Sequence, residues 1–221
     1  NPYEFKLSSN DDSYANLQGQ STFNIETKGP WKLITSDLEW ISRVEPAEGF
    51  GPSEITVEAK DSNLNFEDNV KDLLFSSGLH SDMTEIFNVT QAKFVFDVNE
   101  DEALKALSRL DTKEYDMHVT SSGPWKMEIL DASETGNDWL DMSVLEDGKT
   151  EFEYKDQEAY AETIKVSART KNPYEDQDRK VTVNIYSTLH ADTEGDWKGK
   201  DKHSFTVTQE RFRFEIQKSQ D

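Results

Sequence analysis

Apolar and polar residues alternate along many short segments of the chain, which is the pattern of half-buried β-strands. Clear examples are Phe23/Ile25, Ile55/Val57/Ala59, Trp125/Met127/Ile129, Ile164/Val166/Ala168 and Val181/Val183/Ile185. Turn-forming pairs such as Gly29-Pro30 and Asn172-Pro173 separate these segments. The pattern predicts an all-β protein, with about six to eight strands per repeat in an antiparallel β-sandwich.

One segment has a different period. Asp101–Leu110 places leucines at i, i+3 and i+6, with acidic residues at its start and Arg109 near its end. This charge order suits the helix dipole. We expect a short helix near 101–110, with its leucines in the core. The matching stretch of the first repeat, Ser8–Ser21, is polar and is expected to form a loop.

The chain contains an internal repeat. Gly29-Pro30-Trp31-Lys32 recurs as Gly123-Pro124-Trp125-Lys126, and Trp40-Ile41 recurs as Trp139-Leu140. The twelve residues from Phe87 to Val98 recur from Phe205 to Ile216 with six identities. Because several matches occur in the same order, we predict two tandem domains, residues 1–92 and 93–221.

The alternating segment Phe94–Val98 is expected to open the second repeat. It precedes its next strand by 17 residues, and the similar segment ending at Leu7 precedes its next strand by 16. By the same reasoning, residues 212–216 are expected to form the first strand of a further repeat. Such a strand could equally pair back onto its own domain.

These residues resemble the BACON domain, the Bacteroidetes-associated, carbohydrate-binding, often N-terminal module. The similarity rests on the tryptophans and on the closing Val89-Thr90-Gln91 and Val207-Thr208-Gln209, together with the strand that Arg179 begins. The first repeat departs from the family, because it has Val70-Lys71-Asp72 where a basic residue usually begins a strand. The resemblance implies two immunoglobulin-like β-sandwiches in an exported bacterial protein, secreted or on the cell surface, often a lipoprotein or a glycan-processing enzyme.

The net charge of the chain limits the kinds of partner that it is expected to bind. The chain has 45 acidic and 24 basic residues and a formal net charge of −21. Such a charge repels nucleic-acid phosphates and anionic membranes, so neither is expected as a partner. No apolar run reaches the roughly 18 residues that span a bilayer. The chain enters its strand pattern at Tyr3 without a leader, so we expect any signal peptide, with a lipid anchor or without, to have been removed or never included.

Candidate catalytic and metal-binding groups are few. The chain has no cysteine and four histidines, and His80 and His190 occupy equivalent positions near Asp82 and Asp192. A duplicated loop contact explains both pairs, and no nucleophile motif accompanies them. We therefore expect no enzyme activity and no cofactor. Acidic clusters lack the calcium-loop pattern, so no metal site is expected, and Asp192–Asp196 is the best candidate for calcium.

Sugar recognition usually needs an exposed aromatic ring beside polar groups. The repeated tryptophans are expected to be structural, whereas Trp197 lies in an insertion unique to the second repeat. Tyr160 and Tyr174 are weaker candidates in other insertions. We predict a non-catalytic surface module that acts as a spacer or interaction domain among the neighbouring domains of a longer protein. The alternative is a carbohydrate-binding module, for a glycan or mucin-type polysaccharide, with its site around Trp197.

Overall fold

A computed structural model describes residues 3–17, 19–131, 136–146, 149–155, 160–189 and 201–212. For Asp131 and Tyr160 it describes the backbone only. The chain divides into two compact units, Asn1–Phe94 and Val95–Asp221. The division lies two residues after the boundary expected from the repeat.

Unit 1 contains nine strands within its described residues, arranged in two sheets. They are β1 (Phe5–Leu7), β2 (Asp11–Tyr14), β3 (Gln20–Thr27), β4 (Pro30–Leu33), β5 (Ile41–Glu45), β6 (Glu48–Phe50), β7 (Ser53–Ala59), β8 (Asn69–Ser77) and β9 (Thr84–Gln91). The strand orders are β1-β3-β7-β5 and β2-β9-β8-β4-β6. Strand β2 is parallel to β9, and the other pairs are antiparallel.

Unit 2 contains eight strands within its described residues, also in two sheets. They are β10 (Phe96–Glu100), β11 (Tyr115–Ser121), β12 (Trp125–Asp131), β13 (Leu140–Met142), β14 (Glu151–Tyr154), β15 (Tyr160–Ala168), β16 (Arg179–Ser187) and β17 (Lys202–Gln209). The strand orders are β10-β11-β15-β13 and β14-β12-β16-β17, and every pair is antiparallel. The expected all-β fold of two immunoglobulin-like β-sandwiches is confirmed.

The core of each unit lies between its two sheets. In unit 1, the Phe23 ring on β3 stacks on Phe87 of the other sheet with centroids 4.0 Å apart, and Phe75 meets Phe23 edge-on at 5.6 Å. In unit 2, Met117 and Met127 occupy the corresponding layers and are fully buried. Each such side chain contributes roughly 1.5–3 kcal/mol through burial. The alternating sequence therefore places its apolar face inward, as predicted.

The turns at Gly29-Pro30-Trp31 and Gly123-Pro124-Trp125, which we call the Gly-Pro-Trp corners, have the same hydrogen bonds and strand pairing in the two units. The amide of Gly29 donates to Thr27 Oγ1 and that of Gly123 to Ser121 Oγ, each at 3.3 Å. Trp31 pairs with Ser77, and Trp125 pairs with Ser187. Both indoles are buried, as the repeat predicted.

Other expectations need correction. The expected helix near 101–110 is a single 3₁₀ turn over Glu102–Ala106, and although Leu104 and Leu107 are buried, Leu110 is 59 % exposed. The 3₁₀ turn ends at Ala106, so the spacing of three residues that places leucines on one side does not extend to Leu110. The expected loop over Ser8–Ser21 contains β2, because its backbone groups pair with β9 despite polar side chains. Unit 1 also has one strand more than the expected maximum of eight.

Of the segment Phe94–Val98, expected to open the second repeat, Phe94 belongs to unit 1, and strand β10 from Phe96 onward pairs with β11 of unit 2. For the segment expected to begin a further repeat, only Phe212 is described, and residues 213–216 lie outside the described residues.

Candidate functional site

The residues expected to bind sugar are only partly described. Trp197 lies outside the described residues, together with His190 and the Asp192–Asp196 calcium candidate. Tyr160 begins β15 opposite Ser121, and its side chain is also outside the description. Of the three expected residues, therefore, only Tyr174 has a described environment.

Tyr174 is half-buried in the loop between β15 and β16. Its amide donates to Oδ1 of Asn172 at 3.0 Å, and its carbonyl accepts from the amide of Phe212 at 3.4 Å. Asn65 of unit 1 makes the equivalent bonds, to Asn63 Oδ1 at 3.0 Å and from the Phe94 amide at 2.7 Å. The backbone of Tyr174 thus belongs to the repeated scaffold.

A buried asparagine and glutamine form the centre of that scaffold in each unit. Asn172 Nδ2 donates to the carbonyls of Gln177, Gln209 and Glu210, and Gln209 Nε2 donates to those of Arg109 and Asp111, all at 3.0–3.3 Å. Unit 1 repeats the asparagine bonds with Asn63, whereas Gln91 Nε2 donates to the carbonyls of Asn16 and Asp61. Because these buried amides satisfy backbone groups, we assign them to loop closure.

Arg179 completes this network in unit 2. Its Nε donates to Oε1 of Gln209 at 3.1 Å and its Nη1 to Oγ1 of Thr170 at 3.1 Å, and its guanidinium lies 4.7 Å from the Trp139 ring centroid. Burial lowers the pKa of Arg179, although Asp138 and Tyr174 oppose the shift. In unit 1, Asn69 Nδ2 bonds Gln91 Oε1 at 3.0 Å instead. This replacement explains why no basic residue begins β8.

The repeated second tryptophans are less alike than the sequence suggests. Trp139 is buried and donates to the Gly136 carbonyl at 3.1 Å. Trp40 is half-buried against the unit 1 core, and its ring meets Tyr14 edge-on at 6.2 Å. Within the described part of the chain, Trp40 Nε1 and the Tyr14 hydroxyl are buried without a hydrogen-bond partner. Burial raises the pKa of Tyr14 to about 12.

The described histidines make structural contacts. The His80 ring lies 5.0 Å from that of Tyr3, and exposed His118 lies 3.1 Å from Thr163 Oγ1. His203 Nε2 contacts Glu100 Oε2 at 2.7 Å. Among the described residues, no group of three or more His, Asp and Glu side chains is arranged to hold a metal ion. No helix in the described ranges is long and apolar enough to cross a bilayer.

A short row of apolar residues crosses the outer side of one sheet of unit 1, and the polar pair Asp72 and Asn88 lies between this row and Val70. The Ile34 amide donates to the Leu74 carbonyl at 2.7 Å, and Leu74 pairs with Ile86 across β8 and β9. These three residues therefore form a row across neighbouring strands. Ile34 and Ile86 are exposed, Leu74 is half-buried, and Val70 is exposed farther along β8. We call Ile34, Val70, Leu74 and Ile86 the unit 1 face.

Phe50 lies at the edge of the same sheet and is 75 % exposed. It ends β6 opposite Pro30, in line with the exposed polar residues Glu48 and Lys32. Phe50 is not among the residues predicted from the sequence to bind sugar. The signal that could have identified Phe50 is its position between Gly49 and Gly51, where a large ring has little to pack against.

The corresponding surface of unit 2 is polar. Asn184 and Ser204 stand where unit 1 has Leu74 and Ile86, and their side chains hydrogen-bond to each other at 2.7 Å. Tyr186 donates to Glu128 Oε1 at 2.5 Å, a bond that raises the pKa of Tyr186 to about 12. The apolar character of the unit 1 face is therefore not a property of the shared scaffold.

Comparison with known proteins identifies structures of similar fold but no protein family. No protein-family model matches the chain, and no curated protein matches it. Among solved structures, a Bacteroides ovatus GH5 xyloglucanase, in complex with a XXXG heptasaccharide, is similar over 48 % of this chain with a TM-score of 0.36 and 16 % identity. The chain spans about a fifth of that enzyme, the match covering 21 % of its length.

Two other structures match along most of the chain. A protein of unknown function from Porphyromonas gingivalis W83 matches 93 % of this chain and 99 % of its own, with a TM-score of 0.33 and 11 % identity. The titin domains z1z2, solved with telethonin, match 93 % of each chain, with a TM-score of 0.32 and 12 % identity. Each unit of this chain is an immunoglobulin-like β-sandwich, and its sheet order is the observation that identifies the fold.

Proposed function

We propose that this chain is a non-catalytic interaction module that contacts another protein through the unit 1 face. The supporting observation is the row of Ile34, Leu74 and Ile86 across three neighbouring strands, exposed on a chain with 45 acidic residues. Contiguous apolar surface of this kind marks contact sites in soluble proteins. In unit 2 the same scaffold positions hold hydrogen-bonded polar residues, so the apolar row is not needed for folding.

A protein surface is the better partner for this row, because branched aliphatic side chains bury well against other aliphatic side chains. The partner is a neighbouring domain of the same polypeptide or a separate protein. In keeping with the resemblance to BACON domains, we propose that the module belongs to an exported bacterial protein concerned with glycans, secreted or held at the cell surface as a lipoprotein.

Carbohydrate binding is the second candidate function, and Phe50 favours it. Its exposed ring stands beside Glu48 and Lys32, which gives an apolar platform next to groups that can hydrogen-bond hydroxyls. Trp197 remains the candidate of the second repeat. A glycan such as a mucin-type polysaccharide would stack on one of these rings.

Site-specific photo-crosslinking tests the protein-contact proposal. A photo-reactive amino acid replaces Ile86 in the natural full-length protein, expressed in the organism that makes it. The matched control places the same group at Asn24, which is exposed on β3 of the opposite sheet. We expect a defined protein adduct, or a crosslink to another domain of the same polypeptide, from position 86 only. Equal adducts from both positions, or none from either, would contradict the proposal.

Glycan arrays test the second candidate with four proteins: wild type, Phe50→Ala, Trp197→Ala and Ile86→Asp. Binding that is lost in Phe50→Ala or Trp197→Ala but kept in Ile86→Asp supports sugar recognition by the aromatic ring. Binding that survives both aromatic substitutions, or that wild type does not show, contradicts it.

A further inference from the structure

The two units differ at the free edge of one sheet. In unit 1, the outer edge of β9 is covered by β2, which runs parallel to it and pairs Asp11 with Asn88 and Tyr14 with Gln91. In unit 2, β17 takes the position of β9 and, among the described strands, forms the edge of its sheet. The stretch that corresponds to β2 folds instead into the 3₁₀ turn over Glu102–Ala106.

The hydrogen bonds show how far the β9 edge of unit 1 and the β17 edge of unit 2 are equivalent. The Ala92 amide donates to the Tyr14 carbonyl, and the Glu210 amide donates to the Leu107 carbonyl, each at 2.9 Å. Leu107 of unit 2 therefore stands in the place of Tyr14. In unit 1 the pairing continues to the Asn88 amide, which donates to the Asn10 carbonyl at 2.8 Å. In unit 2 the parallel contact is the single bridge of Leu107 with Gln209.

The backbone groups left open on β17 follow from strand geometry. The amides of successive residues in a strand point to opposite sides, so Thr206 and Ser204 point to the same side as Glu210, toward the edge. Thr206 corresponds to Asn88, whose amide is satisfied in unit 1. In the part of unit 2 that the structure describes, β17 pairs with β16 alone over Ser204 and Thr206. Such an edge offers donors and acceptors to an added strand.

There is space along this edge for a strand. An open groove of about 740 Å³ follows β17 and is lined by Ser204, Thr206 and Thr208 and by Lys105 and Glu100 of the neighbouring segment. The lining also includes Lys180 and His203. Lys105 makes ion pairs with Glu100 at 3.4 Å and Glu102 at 2.6 Å, and His203 Nε2 contacts Glu100 at 2.7 Å.

We propose that the β17 edge binds an extended segment of another polypeptide, similar in sequence to β2, which adds to the sheet as β2 adds to β9. Strand addition obtains affinity from main-chain hydrogen bonds and specificity from alternate side chains. Unit 1 shows the chemistry that this position accepts, because β2 has the sequence Asp-Asp-Ser-Tyr. This inference does not depend on the unit 1 face.

The probe is a fluorescein-labelled peptide with the sequence of residues 9–16, Ser-Asn-Asp-Asp-Ser-Tyr-Ala-Asn. Its binding to the 221-residue chain is followed by fluorescence anisotropy, and amide hydrogen exchange in the wild type locates the site by NMR. We expect the peptide to protect the amides of Ser204 and Thr206, while Val207, already paired within the sheet, is unchanged.

Two substitutions at one position separate the backbone from the side chain. Thr206→Pro removes the edge amide and should weaken binding by about tenfold, the value of one hydrogen bond. Thr206→Ala retains the amide and should bind within about twofold of wild type, as expected when only an exposed side chain changes. If Thr206→Pro fails to fold, the hydrogen-exchange measurement on the wild type still tests whether the peptide binds at the β17 edge.

Other results would overturn the proposal. These are an absence of peptide-induced protection on β17, protection elsewhere, or unchanged affinity in folded Thr206→Pro. If the Thr206 amide is already protected in the free protein, and this protection does not depend on protein concentration, another segment of the same chain covers the edge. If that protection rises with concentration, a second copy of the chain occupies the edge.

Discussion

The indole ring of Trp31 lies directly against Gly49, so that a β-carbon at this glycine would stand 2.7 Å from Cζ2 of the ring. Gly49 pairs with Trp31 between β4 and β6. In unit 2 the equivalent pair is Trp125 with Tyr154, whose rings stack at 5.8 Å. The same corner is therefore closed by a glycine in one unit and by a second aromatic ring in the other.

Gly49→Ala should destabilise unit 1 by roughly 1–3 kcal/mol, the usual cost of forcing atoms into a packed core. Trp31 cannot easily move, because it is buried and its Nε1 donates to the Gly51 carbonyl at 3.1 Å. Urea unfolding followed by tryptophan fluorescence measures the loss. Glu48→Ala, at the exposed neighbouring position, is the control and should change stability by less than about 0.5 kcal/mol. Equal stability of both variants would show that Trp31 is free to shift.

Asn172→Ala should destabilise unit 2 by roughly 2–4 kcal/mol, because it leaves several buried carbonyls without a donor. Those carbonyls belong to Gln177, Gln209 and Glu210. Hydrogen exchange should speed up in β16 and β17 and remain unchanged in unit 1. Asn24→Ala, at an exposed position, is the matched control. A loss as small as that of the control would contradict a structural role for Asn172.

Arg179→Lys should destabilise unit 2 by roughly 1–3 kcal/mol, since one ammonium group cannot reproduce the planar guanidinium. The guanidinium joins Gln209 to Thr170 and lies over the Trp139 ring. The thermal midpoint measures the effect. Arg43→Lys, whose side chain is exposed, should leave it nearly unchanged. Similar midpoints for the two variants would show that charge alone accounts for the role of Arg179.

Glu100 should make the stability of unit 2 depend on pH. Burial by itself raises the pKa of Glu100. The backbone hydrogen bond to its carboxylate and the interactions with His203 and Lys105 together lower the pKa by more, so the net pKa lies below its ordinary value. Because the folded-state pKa is lower than the unfolded-state pKa, the stabilisation is present at neutral pH and is lost as pH falls through the acid range.

Comparison of wild type with Glu100→Gln measures this contribution. The stability gap between the two proteins should be largest near about pH 7 and should close as the pH falls toward about 3. Glu114→Gln, at an exposed position, is the control for general charge effects. A gap that does not change with pH would contradict an ionic role for Glu100.

The sequence alone determined the strand pattern, the duplication and the buried corners. The period of two places Phe23 and Ile25 on one side of a strand, and this local property survives in the tertiary structure. The recurrence of Gly-Pro-Trp located both corners in the same way. In the tertiary structure, the glutamines of the two Val-Thr-Gln segments, Gln91 and Gln209, donate to the equivalent carbonyls of Asn16 and Arg109, whereas the sequence showed only the recurrence.

Tertiary structure alone decided the features that depend on a partner distant in sequence. Ser8–Ser21 has a polar composition, and only the open edge of β9 makes part of it a strand. The 3₁₀ turn over Glu102–Ala106 buries Leu104, and among the described strands it leaves β17 paired with β16 alone over Ser204 and Thr206, which no local pattern indicates. The row of Ile34, Leu74 and Ile86 forms only when three strands align. Side-chain periodicity is set within a strand, whereas edges and faces are set by which strands become neighbours.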